Sequence, residues 1–410
     1  MVKKISFSIT FLICFSFVAI AQNTFSISGS VKDKAGIIPG ASIFVSGYKV
    51  STMTNDEGNF ILPKLEPGSY DILVQMIGYE PFKKNIILEK SVNINVLLTE
   101  NTTLLNEVVV KPDPDRAYHL ALFKDNFIGK SPNAQDCKIL NSQVLNTHFD
   151  KSTSTLTISA NQFIIIENKS LGYRIKYMLE NFEYNFKTGI IYYAGQPFFE
   201  DLKGGSAKIK KWNKAREIAY NGSTQHFFKS LYHNRITEEG FVINKLIKIP
   251  NPMRLPDSLI NANIKRLMPT AQLGTIKTFA ITSNDSLNYW IKQRNEPKLA
   301  NTINRADVLV DTLVKPYNEN LKSTTYKDAL YIMYKNETET DVYRNSGHWQ
   351  ARPLDIPNYQ ISVVHLLSSP ALFFANGGIL DPKSFLFEGY WAYEKIADIV
   401  PMDYIPITKK

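Results

Sequence analysis

Between Phe25 and Leu98, apolar residues return at every second position, and turn chemistry interrupts them at short, even intervals. Period two belongs to strands with one buried face; a helix would repeat every three to four residues. Phe25 to Val31 alternates apolar with small polar residues, and Ala41, Ile43 and Val45 fall on one face. Phe60 and Leu62 follow, then Tyr70, Ile72, Val74 and Met76, and Ile86 to Leu88 and Val92 to Leu98 supply the last strands. Pro39-Gly40 makes a turn, and Asn55-Asp56-Glu57-Gly58 is turn chemistry with Gly58 able to take positive φ. Pro67-Gly68 fits the centre of a type II turn, and Gly78-Tyr79 breaks the Tyr70–Met76 run. About seven short strands at a spacing of about 8–12 residues predict an antiparallel β-sandwich.

The stretches "SGSVKD", "IPGASIFV", "TNDEGNFIL" and "PGSYDILVQMIGY" resemble the carboxypeptidase regulatory-like domain, a transthyretin-like sandwich, over Phe25 to Thr99. That resemblance implies a fold and an accessory role, with no catalytic residue in the domain itself. A zinc carboxypeptidase would add His-x-x-Glu and a distant His, and a zincin would add His-Glu-x-x-His on a helix. None of His119, His148, His226, His233, His348 and His365 has Glu three residues later, and no pair stands four apart. The zinc-peptidase reading fails on ligand chemistry, and no metal or other cofactor is expected.

The flanks set the compartment. Lys3 and Lys4 precede an apolar run from Ile5 to Ile20, and Ala19-Ile20-Ala21 is a small-x-small site before Gln22. Residues 1–21 read as a secretory signal peptide. As a membrane anchor the run is short and lacks a stop-transfer flank. Cys14 follows Leu12-Ile13 where a lipoprotein signal would place a small residue, so lipidation is not expected. The mature chain keeps only Cys137, read as a small buried hydrophobe, and its stability must come from packing. No later window reaches the roughly 18 apolar residues of a spanning helix. The chain is expected in the periplasm or associated with the outer membrane.

The sandwich is assigned to 22–105, a linker to 106–115 and a C-terminal domain to 116–410. "LLNEVVVKP" (Leu104 to Pro112) is similar to the stretch that follows this sandwich in many TonB-dependent outer-membrane receptors. There such a run adds as a strand to an energising partner. A receptor barrel of some twenty strands does not fit the roughly 300 residues that remain, and Val108 to Val110 also reads as a plain linker strand. "KPDPDR" then reads as a hinge.

Beyond it, "RAYHLALFKDNF" has helical periodicity. "STLTISA", "FIIIENKS", "GYRIKYMLENFEYNF", "GIIYYAGQPFFE", "LGTIKTFAIT", "LNYWIKQ", "DALYIMYK" and "YQISVVHLL" read as strands, and "SLINANIKRLM" and "GYWAYEKIADIV" as helices. The fold class is mainly β: a sandwich followed by a β-rich α+β domain. "FIGKSPNAQDCKILN", "AREIAYNGSTQHFFKSL" and "GYWAYEKIADIVPMDYIP" carry a resemblance to exported bacterial carboxypeptidase-like regulatory domain-containing proteins, a family without an assigned activity.

Three places carry candidate ligand-binding residues. Lys203 to Arg216 holds six basic residues and no acid, so Lys208, Lys210, Lys211 and Lys214 around Trp212 would grip an anionic polymer. The alternative is a solvated face with Trp212 packed inward. Next, Asn221-Gly222 is a turn and Ser223 a helix cap, so Arg216, Tyr220, Ser223 and His226 would converge, as a polar site or a structural network. No Gly-x-Ser-x-Gly elbow marks a hydrolase there. Finally, His348, Trp349 and Arg352 sit on a loop, where an aromatic would stack on sugars or lid a core.

Net charge is +9, and residues 113–410 carry 37 basic against 29 acidic residues. An exported basic surface points to envelope polysaccharide, lipid head groups or an outer-membrane protein, and away from nucleic acid. The expectation is a non-catalytic exported adaptor or binding module. The alternatives are an accessory of TonB-dependent uptake and a hydrolase or glycan-processing enzyme with an unrecognised site.

Overall fold

The structure, a computed structural model, describes residues 24–101, 114–268, 284–306 and 308–406. The leader 1–21, Val108 to Val110 with most of the linker, and "LGTIKTFAIT" lie outside the described residues. The chain divides into two compact units. One takes in Met1–Asp113, Ile175–Met178 and Gln196–Glu200; the other takes in Pro114–Arg174, Leu179–Gly195 and Asp201–Lys410.

The first unit holds β1 (Ile27–Lys32), β2 (Ser42–Val45), β3 (Ser51–Met53), β4 (Asn59–Ile61), β5 (Gly68–Gln75), β6 (Phe82–Leu88) and β7 (Val92–Leu97). They form two sheets, β4-β1-β7 and β3-β2-β5-β6. The core is the alternating set read from the sequence, with Ile27, Val31, Ile43, Val45, Phe60, Tyr70, Ile72, Val74 and Ile94 all buried. The pairs are antiparallel except β1 with β7, which run parallel with Gly29 opposite Ile94. A Cβ at Gly29 would stand 2.0 Å from the Ile94 carbonyl oxygen, so this approach requires glycine. The Asn55–Gly58 turn forms as expected: Gly58 has φ +71°, and Asn55 Oδ1 accepts from the Asn59 N–H at 2.8 Å. Pro67-Gly68 does not make a type II turn. Gly68 keeps a negative φ and opens β5, paired with Leu88.

After the sandwich, β8 (Cys137–Ile139), β11 (Ile164–Asn168), β12 (Tyr173–Asn185), β10 (Thr155–Ala160) and β9 (Leu145–Asp150) make one sheet in that order, with β13 (Ile191–Asp201) also on β12; all of it but Ile175–Met178 and Gln196–Glu200 is counted in the second unit. A second sheet runs β15 (Leu299–Asn304), β14 (Phe241–Pro250), β18 (Ala329–Thr338), β19 (Tyr359–Leu366), β21 (Phe385–Gly389), and a small third one β16 (Val314–Pro316), β17 (Leu321–Thr324), β20 (Ala371–Phe374). The longer helices are α1 (Arg116–Phe123), α2 (Ser206–Tyr220), α3 (Thr224–Tyr232), α4 (Asp257–Leu267) and α5 (Asp285–Asn295). Phe227, Phe228 and Leu231 of α3 join Phe241, Ile332, Tyr334, Val364, Phe373 and Trp391 in one apolar cluster. Tyr331, Met333, Ile361 and Val363 form another, being the alternate residues of the same strands.

Two local readings are corrected. "LNYWIKQ" is helix, inside α5: Asn284 Oδ1 accepts from the Leu287 N–H at 3.1 Å, and Leu287 and Ile291 pack with Ile260 and Ile264 of α4. Leu287 and Ile291 stand four apart, and that spacing prevailed over the local alternation. "GYWAYEKIADIV" is helical only over Tyr390–Tyr393, with a 3-10 turn at Ile396–Asp398. Glu394 and Lys395 between them are extended, because Asp398 Oδ2 takes the Lys395 N–H. Cys137 is free and buried, and burial pushes its thiol up to about 12. Among the described residues, no helix is long and apolar enough to cross a membrane.

Candidate functional site

Helix α2 separates the residues of the basic run. Trp212 turns inward: its indole N–H donates to the Lys169 carbonyl at 2.9 Å, and a Cβ at Gly172 or Gly204 would strike its ring. Lys208, Lys210, Lys211 and Lys214 remain exposed. Arg216 is turned to the chain's own backbone. It donates to the carbonyls of Leu171 (2.7 Å) and Gly172 (3.0 Å) and to Asp201 (2.8 Å), and it lies 3.9 Å over the Tyr173 ring.

The next turn gathers Tyr220, Ser223 and His226 without Arg216. Ser223 caps α3, accepting from the His226 N–H, and its hydroxyl donates to the Tyr220 carbonyl at 2.7 Å. The His226 ring stacks on Tyr220 at 4.9 Å. Its Nδ1 accepts from the Gly222 N–H at 3.1 Å, which leaves Nε2 to donate to Glu239 at 3.3 Å. Burial lowers the His226 pKa, and the Glu239 hydrogen bond opposes that shift. Arg235 pairs with the same Glu239 at 2.8 Å. A buried, neutral imidazole bonded on both nitrogens is a structural part.

The loop residues divide similarly. Arg352 pairs with buried Glu339 and donates to the carbonyls of Pro357 (2.8 Å) and Tyr359 (3.2 Å). His348 is half-buried, with its pKa lowered by burial, and its carbonyl accepts from the Tyr343 hydroxyl at 3.0 Å. Trp349 is exposed. The structure therefore does not bring the candidate residues into one pocket.

A cavity does exist in the second unit, about 180 Å³ in volume, and of the residues weighed in the sequence only Ser223 lines it. Its walls include Tyr193, Gln225, Phe387, Trp391, Glu394 and Asp398. Asp398 is buried and held from both sides: Oδ1 accepts from the Ser131 hydroxyl (2.7 Å) and Asn133 Nδ2 (2.9 Å), and Oδ2 from the Lys395 N–H (3.3 Å). Burial raises its pKa even so. Glu394 has no hydrogen-bond donor among the described residues, and burial, then Asp398 and Glu337, push its pKa well up. Burial lowers Lys395 to about 8 and raises Glu337 to about 7.

Three distant stretches meet here. Trp391 Nε1 donates to the Gly222 carbonyl at 2.7 Å, Gln225 Nε2 to the Pro401 carbonyl at 3.3 Å, and Ser131 to Asp398. These are the stretches 127–141, 215–231 and 389–406, the same three that carry the whole-chain resemblance. The signal available in the sequence was Glu394, Lys395 and Asp398 set among Trp, Tyr, Ile, Ala and Val with no turn residue. Charges in such a setting are buried charges.

Residues 27–110 match the family model described as CarboxypepD_reg-like domain. The N-terminal sandwich is a CarboxypepD_reg-like domain. Its two sheets and apolar core are the sandwich that the strand pattern predicted. No curated protein sequence matches the chain. Among solved structures, the chain is similar to part of a type II cohesin-X-dockerin complex from Acetivibrio cellulolyticus, with 14% identity, 18% of this chain and 58% of that chain covered, and a TM-score of 0.17. It thus spans only 58% of the length of that chain. DUF3823 family proteins of Bacteroides ovatus (8% identity, 45% of this chain, 83% of that chain, TM-score 0.17) and Parabacteroides merdae (10%, 46%, 85%, TM-score 0.16) are also similar. Likeness this shallow carries no argument about activity or partners.

Proposed function

We propose that this chain is a non-catalytic exported envelope protein, an adaptor or binding module that holds anionic polymer on the lysine face of α2. The observation that carries the reading is the division of labour on that helix. Trp212 and Arg216 are committed to internal bonds, while Lys208, Lys210, Lys211 and Lys214 are exposed with no acidic partner among the described residues. The surplus of positive charge over residues 113–410 supports it. The test is retention of envelope polysaccharide and of anionic lipid vesicles. Binding should fall steeply with salt, because exposed charges are screened over about 10 Å at about 0.1 M. Changing the four lysines to Gln should abolish it; unchanged retention would end the proposal. Export is checked by N-terminal sequencing, which should begin at Gln22; an intact Met1 would contradict it.

A second reading, a hydrolase or glycan-processing enzyme, has one observation in its favour: Glu394 and Asp398 line the same cavity. Asp398 is already bonded through both oxygens, which leaves Glu394 as the candidate acid or base. The uptake-accessory reading rests on Val108 to Val110; loss of a pulled-down energising partner on deleting them would favour it.

A further inference from the structure

The cavity and its unpartnered acid call for a ligand, whatever the lysine face binds. We infer that the cavity receives the primary ammonium group of a small organic amine, seated against the Glu394 carboxylate and flanked by Trp391, Phe387 and Tyr193. Four observations carry this. Glu394 lines the cavity, is half-buried, and takes no hydrogen bond from any described residue. Two carboxyl groups, Glu394 and Asp398, line the cavity against one ammonium side chain, Lys395, and Glu337 also acts on Glu394, so the local imbalance is negative and a cation relieves it. The side chains of Trp391, Phe387 and Tyr193 give aromatic walls, which favour an organic cation. The volume of about 180 Å³ exceeds what one water needs and suits a compact amine.

A metal ion fits poorly. Hard cations take about six to eight oxygen ligands. Here the Asp398 oxygens are engaged by Ser131, Asn133 and the Lys395 N–H, which leaves one free carboxylate. Among the described residues no metal-ligating group of side chains occurs. An anion would meet two carboxyl groups, Glu394 and Asp398, against Lys395 alone.

The test is titration calorimetry on the full chain with butylammonium, butyrate and butanol, which share a tail and differ in charge. Butylammonium should bind, and butyrate and butanol should not. Glu394→Gln should weaken butylammonium by about tenfold or more, the scale of a lost charge-assisted hydrogen bond. The variant should keep its fold, since it changes a half-buried acid that takes no hydrogen bond from any described residue. No butylammonium binding, equal or better binding of butyrate, or undiminished binding by Glu394→Gln would each overturn the inference. Should Glu394→Gln fail to fold, Ala219→Leu carries the test: it fills the cavity and leaves the acid, so lost binding supports the site and retained binding refutes it. Changing the four lysines of α2 to Gln should leave amine binding untouched, which separates this site from the polymer face.

Discussion

The sandwich and the second unit reach a buried core by different routes. In the sandwich, alternating apolar side chains do most of the work, and its buried polar group, Thr54, bonds the Ile38 carbonyl only 16 residues away. In the second unit, buried polar bonds join residues very far apart in sequence. Ser131 to Asp398 spans 267 residues, Asn168 to Ala397 spans 229, and Gly222 to Trp391 spans 169. Local alternation specifies a core strand by strand. Long-range polar clamps specify it only once distant segments have met, at the entropic cost of closing long loops. The clamped segment 389–406 also supplies Trp391, Glu394, Lys395, Asp398, Ile399 and Val400 to the wall of the cavity.

That contrast can be broken in stages. Trp391→Ala should cost about 3–5 kcal/mol, the range for truncating a buried aromatic, and it also leaves the Gly222 carbonyl without its donor. Denaturant melts should show the loss in the second unit and leave the sandwich intact. Gly29→Ala is its counterpart in the sandwich. A new Cβ against the Ile94 carbonyl should cost about 1–3 kcal/mol or more, with β1 and β7 losing amide protection first.

A pH series sharpens the comparison further. Burial raises Glu337 to about 7, so the folded chain keeps a proton there that the unfolded chain releases above 4.5. Its stabilising contribution is therefore full at low pH and is lost as pH rises from about 4.5 through about 7. Neutral His226, with its lowered pKa, pulls the other way, favouring the fold as pH rises toward 6.5. Glu337→Gln isolates the first effect: its melting temperature relative to wild type should climb across the upper part of that window. A flat difference would mean that Glu337 is ionised in the fold. The mildest change is the replacement of Lys208, Lys210, Lys211 and Lys214 by Gln, which should shift stability by no more than about 0.5 kcal/mol.

Legibility followed the same division. The sandwich core could be read residue by residue because alternation writes each strand's buried face into its own sequence. The Pro67-Gly68 turn was misread, and β3, Ser-Thr-Met with no apolar alternation, and the parallel partnership of β1 and β7 escaped, the last because pairing across 65 residues leaves no local mark. Trp212 packed inward beneath solvated lysines was one of two readings of the basic run, and α2 places the side chains that way. The cavity was not legible, because Glu394 and Asp398 gain much of their surroundings from Ser131, Asn133, Tyr193 and Gln225, which lie far away in sequence. Arg216 and His226 looked like ligand-binding residues because polar side chains used for clamping and for binding are the same side chains.

Amide hydrogen exchange on the full chain carrying Asp398→Ala tests the central claim most directly. The substitution leaves Ser131 and Asn133 without their acceptor, a cost of about 1–3 kcal/mol. Peptides from 127–141, 215–231 and 389–406 should lose protection together, while those from β1 to β7 keep theirs. Loosening confined to Ser131 and its immediate neighbours, or spread equally into the sandwich, would contradict the account.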